Sequence, residues 1–585
     1  MSGNYRPRRR YGAPGNPKAL RGTGNTGKGN EVSAAATAAA EGATLRTGPG
    51  ASAGKPGAPR ARNAAGEPAA GRRDPARRAG FPRPADPRRT AYDVLAAVRD
   101  REAYANLLLP RLLAERQLAG RDAALATELA YGTLRGQGTY DAVLAACSDR
   151  PLDKLDPPVL DILRLGTHQL LNTRIGAHAA VATSVDLAKS VVGPRVSGYV
   201  NAVLRRVATR DLPAWLDIVA PDATADPDGY LATRYSHPRW IVAAYRDALG
   251  AAADSPALED HTEAAGDGEP AEGAAASELE AALAAGNARP RVTLAAFPAG
   301  PPREDVMPAD AEPGRWSPYA FTLRSGDPAP WTESGAAAVQ DEGSQLAAIA
   351  LSRAPLLGES GAGAERWLDM CAGPGGKSRL LYGLAAGRGA TLTAAELHPH
   401  RAALVRDALT RASRLNGYSA ASARGDQTRD PGAPEPSGTQ GTEFEVVVAD
   451  GTAPPWPNGT FDRVLVDAPC SGLGALRRRP EARWRKSEAD LAELTALQRD
   501  LLRSALTSVR PGGVVAYVTC SPVPAETRDV VADVVASVPG VDVIDAAAVL
   551  SGVPGVSSAS PLFAQLWPHR HGTDAIFIAL LRRDA

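Results

Sequence analysis

Two cysteines stand where an apolar run gives way to turn residues, and thiols in such positions can act as nucleophiles. Cys470 lies in Val466-Asp-Ala-Pro-Cys-Ser-Gly-Leu-Gly474, where Asp467 ends the apolar run, and Cys520 lies in Tyr517-Val-Thr-Cys-Ser-Pro522. A single cysteine is more often a small buried apolar residue. Two cysteines, each at the end of a predicted strand, favour thiol chemistry instead, because a thiolate adds to electron-poor carbon atoms.

A glycine-rich turn precedes both cysteines and joins a predicted strand to a predicted helix. It reads Leu368-Asp-Met-Cys-Ala-Gly-Pro-Gly-Gly-Lys-Ser378. Glycines let a backbone approach a ligand closely, and a helix N-terminus is electropositive. The spacing matches neither the dinucleotide fingerprint nor the phosphate loop, and such a turn alone is often only structural. Glu396 ends the next predicted strand, where it could bind both hydroxyls of a ribose or cap the following helix. Together, the loop and this carboxylate favour a nucleoside ligand.

The elements that must position these residues alternate between strands and helices from residue 333 to 585. Predicted helices begin near Lys377, His400, Ser487 and Ala525. This alternation predicts an α/β domain whose parallel-type sheet is covered on both faces, with ligands at the carboxyl ends of the strands. A polar, Gly/Pro-rich stretch at 418–442 is predicted to be an insertion. The predicted strands are Trp367–Met370, Thr391–Glu396, Phe444–Ala449, Arg463–Asp467, Val514–Thr519 and Ala575–Leu581.

The chain ahead of this domain divides into three regions. Residues 1–85 are predicted to be a disordered basic tail, and residues 1–89 hold 18 Lys and Arg against 5 Asp and Glu. Such a tail binds RNA loosely or only adds solubility. Residues 86–210 show helical periodicity throughout and predict a helical bundle. Residues 211–332 predict a small α+β subdomain with an acidic low-complexity insertion at 252–277.

Composition excludes several classes of protein. The chain has 585 residues and a formal net charge of +1, and it lacks the run of about 18 apolar residues that a membrane span needs. No apolar segment follows the N-terminal arginines, so no signal peptide is expected. The four cysteines include no Cys-x-x-Cys pair, so neither a disulfide framework nor a metal site is expected. A reducing cytoplasm is the simplest location. Cys147 and Cys371 are expected to be structural.

The glycine-rich loop, Glu396 and the two cysteine segments together resemble the RNA cytosine-C5 methyltransferases of the RsmB/Sun type. In that family the loop reads Cys-Ala-Ala-Pro-Gly-Gly-Lys-Thr, and the cysteines lie in Asp-Ala-Pro-Cys-Ser and Thr-Cys-Ser. Gly373, Ser378 and Glu396 stand where the family more often has Ala, Thr and Asp, and all three keep the needed chemistry. The resemblance implies a Rossmann-like, class I domain that depends on S-adenosylmethionine (SAM).

Segments of the helical region resemble the NusB family of RNA-binding domains. They are Glu128-Leu-Ala-Tyr-Gly-Thr-Leu-Arg135, Ile162-Leu-Arg-Leu-Gly-Thr-His-Gln169 and Gly198-Tyr-Val-Asn-Ala-Val-Leu-Arg205. A NusB-like domain ahead of the catalytic domain points to the branch that methylates a cytosine of small-subunit (16S) ribosomal RNA. The arginines of this region could contact phosphates, but each is better interpreted as an ordinary solvated side chain. They are Arg135, Arg164, Arg205 and Arg206.

The resemblance also implies a role for each site residue. Cys520 is the nucleophile that adds to cytosine C6, Cys470 assists product release, Asp467 contacts the base near N3, and Lys377 touches the base or lowers a thiol pKa. Asp450 is expected on the adenine side of the cofactor. The full cofactor set is Cys371, Ala372, Gly373, Pro374, Gly375, Gly376, Lys377, Glu396, Asp450 and Asp467.

The segment Arg477-Arg-Arg-Pro-Glu-Ala-Arg-Trp484 combines a basic run with an aromatic residue, which suits RNA phosphates and base stacking. The predicted protein is a monomeric enzyme that acts on small-subunit ribosomal RNA. Three alternatives remain: a non-catalytic RNA-binding scaffold, the same chemistry on transfer or large-subunit RNA, and a nicotinamide-dependent enzyme, which the glycine spacing disfavours.

Overall fold

A computed structural model describes residues 86–253, 272–358, 363–415, 443–557 and 562–584. The predicted tail at 1–85 and the predicted insertion at 418–442 lie outside the described residues. Most of the insertion predicted at 252–277 does as well. Its last residues are helical, because a helix begins at Glu272.

The first described region is a bundle of seven helices around one apolar core. Asp86 caps the first helix by accepting a hydrogen bond from the amide of Arg88, and Pro157 opens the fourth, where a missing N–H costs little. Leu129, Ile162 and Leu204 are fully buried in the core. The helices are α1 Pro87–Arg101, α2 Ala105–Glu115, α3 Gly120–Cys147, α4 Pro157–Asn172, α5 Ala177–Val191, α6 Ser197–Val207 and α7 Leu212–Val219. The predicted helical bundle is confirmed.

The second region combines three helices with a small antiparallel sheet. The helices are α8 Pro227–Arg234, α9 Arg239–Ala253 and α10 Glu272–Asn287. The sheet has the order β2-β3-β1-β4. It consists of β1 Val292–Ala296, β2 Glu312–Pro313, β3 Ala320–Leu323 and β4 Ala337–Val339, with the short helices α11 Arg303–Val306 and α12 Ala329–Ser334 between them. The fourth strand lies beyond the predicted boundary at 332. The sequence did not reveal it, because a three-residue strand is too short to show periodicity.

The third region is a seven-stranded main sheet with helices on both faces. Its order is β10-β12-β9-β8-β5-β6-β7, with the short β11 added onto β12. Four pairings are parallel, between β7 and β6, β6 and β5, β5 and β8, and β8 and β9. The strands are β5 Arg366–Asp369, β6 Thr391–Glu396, β7 Phe444–Val448, β8 Phe461–Asp467, β9 Val509–Thr519, β10 Val541–Ile544, β11 Ala564–Gln565 and β12 Phe577–Arg583.

Two helical layers bury this sheet. On one face lie α13 Glu342–Arg353, α14 Gly376–Ala386 and α15 Pro399–Ser413. The short helix α16 Ala482–Arg485 follows β8, and on the other face lie α17 Glu488–Ser508 and α18 Arg528–Ser537. The chain also contains the short helices α19 Ala546–Val549 and α20 Pro568–His571.

All six predicted strands of the α/β domain exist within a few residues of the predicted bounds. The sheet is nevertheless mixed, because β12 runs antiparallel between β9 and β10. The sequence showed the strand at β12 but carried no signal of its direction. The carboxyl ends of the five adjacent parallel strands β9, β8, β5, β6 and β7 share one edge of the sheet, and this edge carries the candidate site.

Candidate active site

Cys470 and Cys520 meet at the end of two neighbouring strands. Strand β8 pairs in parallel with β9, with Asp467 opposite Val518, so the loops that follow the two strands emerge side by side. The two Sγ atoms lie 3.2 Å apart and form a hydrogen bond. Each thiol is half-buried. The two thiols therefore lie at the same edge of the sheet.

Close packing of the two loops depends on Gly474. Its amide donates to the carbonyl of Cys520 at 2.8 Å. A Cβ atom at this position would lie 2.0 Å from the carbonyl oxygen of Ala575 and 2.8 Å from that of Cys520. Only glycine allows this approach of backbone to backbone.

Glu526 ties the two cysteine loops together, and the sequence interpretation missed it. Its fully buried carboxylate accepts hydrogen bonds from the amide and hydroxyl of Ser471, at 2.7 and 2.5 Å, and from the hydroxyl of Ser521 at 2.6 Å. Each serine directly follows one of the paired cysteines. The signal in the sequence was weak: two Cys-Ser pairs, the second followed shortly by a glutamate.

The hydrogen bond between the thiols makes them chemically unequal. For Cys520, the hydrogen bond from Cys470 is the largest influence on the thiol pKa and lowers it, with further help from the charges of Lys377 and Arg479. For Cys470, the same hydrogen bond and burial raise the pKa. The thiolate form is therefore favoured at Cys520 and the protonated form at Cys470.

Lys377 and Asp467 form an ion pair beside the thiols. Lys377 lies in the first turn of α14, directly after the glycine-rich loop, and its Nζ atom is 2.8 Å from Oδ2 of Asp467. Burial works against the charge of Lys377, but the carboxylate of Asp467 outweighs it and raises the lysine pKa. A permanent positive charge therefore lies close to Cys520.

The glycine-rich loop closes onto Glu396. The amide of Gly373 donates to Oε2 of Glu396 at 3.0 Å, and a Cβ atom at Gly373 would lie 2.2 Å from that oxygen. Gly375 has a φ of +109°, a conformation that favours glycine. The other oxygen of Glu396 accepts from the amide of His398, just ahead of α15, and from Arg401. Glu396 thus braces the loop and also binds the backbone just ahead of the next helix.

The other two acidic positions at this edge differ in their surroundings. Asp450 follows β7, is exposed, and accepts hydrogen bonds from the amide and hydroxyl of Thr452, which lower its pKa. Asp369 ends β5 and was not predicted as a site residue. It is fully buried, and burial raises its pKa to about 7. Its Oδ2 accepts from the hydroxyl of Ser378 at 2.7 Å.

Comparisons with known proteins match both halves of the chain. Residues 360–432 and 437–582 match the model of the 16S rRNA methyltransferase RsmB/F family, and residues 85–209 match the NusB family. A putative methyltransferase of Mycobacterium tuberculosis, Rv1407, is 47% identical over 86% of this chain and 97% of its own length. A probable ribosomal RNA small subunit methyltransferase B of Bacillus subtilis is 30% identical over 85% of this chain and 98% of its own.

The chain belongs to the RsmB/F methyltransferase family.

A solved structure shares the fold of this RsmB/F methyltransferase across nearly all of its own length. The crystal structure of PH0851 covers 85% of this chain and 98% of its own, with a TM-score of 0.62 and 20% identity. The predicted order of a NusB-like helical domain and a SAM-dependent methyltransferase domain is therefore confirmed.

The loop of this RsmB/F methyltransferase fits SAM, the methyl donor of the family. Oδ1 of Asp369 is buried and has no hydrogen-bond partner among the described residues, so it is available to a polar group of a ligand. A Cβ atom at Gly376 would meet nothing within 4 Å, which leaves open space beside the loop. Cys371 begins the loop, and burial raises its thiol pKa, as expected for a cysteine that is no nucleophile. The thiol of Cys147 is buried in the helical domain.

The basic run at 477–484 was predicted to suit RNA phosphates and base stacking, but three of its four arginines have partners within the described part of the protein. Arg477 and Arg478 both pair with Asp341 and Asp574. Arg483 is completely buried and donates to the carbonyl of Ser236. Arg483 therefore ties the α/β domain to the region before it, whereas Arg477 and Arg478 join segments of the α/β domain that are distant in sequence.

Trp484 is not free to stack on a base either. It packs on α3, where a Cβ atom at Gly138 would lie 2.5 Å from its ring. Of the four arginines of the helical domain that were considered for phosphate contact, two form ion pairs within that domain. Arg164 pairs with Asp141, and Arg206 pairs with Asp149. Arg135 stacks over Tyr131 and donates to the carbonyl of Arg477, and Arg205 donates to Asn201. These contacts agree with the interpretation that favoured no phosphate contact.

None of the described helices is long and apolar enough to cross a membrane. The described residues also contain no group of three or more His, Cys, Asp or Glu that could hold a metal ion.

Proposed function

We propose that this RsmB/F methyltransferase transfers a methyl group to C5 of a specific cytosine in small-subunit (16S) ribosomal RNA through a covalent bond between Cys520 and C6. The observation that carries the proposal is the pair of unequal thiols, 3.2 Å apart, beside Lys377 and Asp467. The names of the relatives support the choice of RNA, since several are called ribosomal RNA small subunit methyltransferase B.

Two thiols suit this reaction because cytosine C5 is a poor nucleophile. Addition of the Cys520 thiolate to C6 forms an S–C6 bond and makes C5 electron-rich. When bound, SAM would supply a methyl group on a sulfonium, and the bond between sulfur and that methyl carbon would break as C5 bonds to it, leaving a neutral thioether. The positive charge of Lys377 helps keep Cys520 ionised, and Asp467 binds the base near N3, where charge changes during addition.

Release of the product needs the second thiol. Once C5 carries the methyl group, its proton passes to solvent and the electron pair restores the C5–C6 double bond as the S–C6 bond breaks. Cys520 then leaves as a thiolate. Cys470 keeps its proton and lies within hydrogen-bond distance of that sulfur, so its S–H group stabilises the departing thiolate.

The cofactor is proposed to lie along the sheet edge. Its amino acid part would lie against the loop from Cys371 to Lys377, its ribose near Glu396, and its adenine near Asp450, while Asp467 separates cofactor from base. All these residues follow the carboxyl ends of adjacent parallel strands. The target base has to leave its stack to reach the thiols. We also propose that the protein acts as a monomer in the cytoplasm.

The test is to incubate purified protein with 16S RNA and SAM and to map new 5-methylcytosines by bisulfite sequencing. One modified cytosine in 16S RNA is expected. Methylation only of transfer RNA or large-subunit RNA would overturn the substrate. Methylation of another base atom would overturn the chemistry, and no methylation of any RNA would favour a non-catalytic scaffold.

A further inference from the structure

Tyr104 is a solvent-exposed aromatic residue of the helical domain, and two arginines of the catalytic domain lie near its ring. It occupies the position just before α2, and 47% of its surface is exposed. The guanidinium of Arg479 lies 5.2 Å from the centre of its ring, and that of Arg485 lies 5.4 Å away. The two domains thus share one cationic and aromatic surface.

The catalytic domain fixes the peptide on both sides of Tyr104. Glu481 accepts a hydrogen bond from the amide of Ala105 at 3.1 Å. Arg485 donates to the carbonyl of Ala103, and also to that of Val98 at 3.0 Å. The ring is therefore exposed and yet held in place. A side chain ordered in advance loses little entropy when a ligand stacks on it.

Arg479 is the member of the basic run that lacks an internal partner. It is exposed, and within the described part of the chain its side chain forms neither a hydrogen bond nor an ion pair, only the contact with the ring of Tyr104. Its amide donates to the carbonyl of Ala475 at 3.0 Å, and the amide of the adjacent Gly474 donates to the carbonyl of Cys520 at 2.8 Å. The surface formed by Tyr104 and Arg479 therefore lies near the thiols.

We propose that Tyr104 and Arg479 bind the RNA strand beside the target cytosine, with a neighbouring base stacked on the tyrosine and a phosphate paired with the arginine. This inference rests on the proposed function. A single-stranded nucleic acid is the occupant that fits, because aromatic faces stack on bases and unpaired guanidinium groups bind phosphate. The helical domain thereby contributes directly to the substrate site.

The first test measures binding of a 16S RNA fragment by equilibrium titration at several salt concentrations. Tyr104→Ala is expected to weaken binding about 5- to 100-fold, the usual range for one lost base stack. Tyr104→Phe keeps the ring and should bind like the unchanged protein. Arg479→Ala should weaken binding and reduce the slope of log affinity against log salt by about one.

Matched controls separate stacking from general damage. Tyr199 also lies against an arginine, Arg150, but within the helical domain, so Tyr199→Ala should leave RNA affinity unchanged. SAM affinity and melting temperature should be the same in Tyr104→Ala and in the unchanged protein. Unchanged RNA affinity in Tyr104→Ala, or an equal loss in Tyr104→Phe, would overturn the proposal, and so would binding of a protein partner alone that depends on Tyr104.

A cross-linking experiment distinguishes this inference from the proposed function. A photoreactive phenylalanine analogue at position 104 should cross-link to a nucleotide within a few positions of the methylated cytosine. Cross-links confined to distant nucleotides would overturn the inference while methylation itself persists. If the unchanged protein methylates no RNA, the proposed function fails, and this result is independent of the binding titrations.

Discussion

The Sγ atom of Cys470 lies 3.2 Å from the Sγ atom of Cys520, and the hydrogen bond between them shifts the two thiol pKa values in opposite directions. It lowers the pKa of Cys520 and raises that of Cys470. The same contact supports addition by Cys520 and its later departure as a thiolate.

The first prediction is that the two cysteine variants fail differently. Cys520→Ala should form no covalent adduct with RNA and no methylated product. Cys470→Ala should still add and transfer the methyl group but release the RNA slowly, because the departing thiolate loses the S–H group that Cys470 provides. Labelled RNA should therefore stay attached to Cys470→Ala on a denaturing gel.

Cys147→Ala is the control for this experiment, since that thiol is buried in the helical domain, and it should turn over normally. An adduct that accumulates in Cys520→Ala would reverse the roles of the two thiols. The absence of an adduct in every variant would mean that the thiols are only structural.

The second prediction concerns pH. Because the folded protein lowers the pKa of Cys520, its thiolate is present above that lowered pKa and is lost as pH falls through it. The rate of alkylation of Cys520 by iodoacetamide, followed by mass spectrometry, should rise with a midpoint below the free-cysteine value of about 8.5. In Cys470→Ala the midpoint should move to higher pH, because the hydrogen bond is lost while burial remains. An unchanged midpoint in that variant would show that Cys470 does not influence Cys520.

The third prediction concerns Glu526. In Glu526→Ala, Ser471 and Ser521 lose the acceptor for three hydrogen bonds. Each buried donor left unpaired costs about 1–3 kcal/mol, so the free energy of unfolding measured in urea should fall by several kcal/mol. Glu526→Gln keeps the shape and one acceptor oxygen, and should lose less stability.

A second measurement on Glu526→Gln tests whether this residue positions the thiols. Its kcat should fall while its affinity for SAM stays unchanged, and the alkylation midpoint of Cys520 should shift upward because the loops no longer hold the thiols at hydrogen-bond distance. A variant that is less stable but has normal kcat and an unshifted midpoint would limit Glu526 to folding.

The fourth prediction concerns the cofactor. Glu396→Ala should weaken SAM binding by about 1–3 kcal/mol, because the amide of Gly373 and any ribose hydroxyl lose their acceptor. Asp450→Ala should have a smaller effect, since Asp450 is exposed and makes its hydrogen bonds to Thr452. Isothermal calorimetry measures both. Unchanged affinity in Glu396→Ala would remove this residue from the site.

Local patterns were enough to predict most of the fold and part of the site. The strands that carry Asp467 and Cys520 are apolar runs ended by turn residues, and each such boundary is visible in a few consecutive residues. Parallel neighbours in a sheet then bring their ends together. For this reason the two cysteines, Lys377 and Glu396 could be placed at one edge without a structure.

What the sequence could not show depends on contacts between distant segments. Arg477 and Arg478 look like free cations, but Asp341 and Asp574, more than ninety residues away on either side, neutralise them. Glu526 stands in an unremarkable turn, and its role is visible only once β8 and β9 are side by side. Asp369 was overlooked because a buried acid at a strand end also suits a purely structural role.

The burial of Arg483 between regions has a consequence for how such chains can be recombined. Its guanidinium donates hydrogen bonds to Ser236, Asn287 and Gly286, all of which lie in the α+β subdomain between the helical bundle and the α/β domain. Cutting the chain near residue 333 would leave this cation without its acceptors and would expose the apolar side chains of α9 and α10 that pack around Leu473 and Trp567. The catalytic half is therefore not expected to be stable when it is cut from the chain at this point, and any foreign N-terminal half joined to it would have to supply matching acceptors.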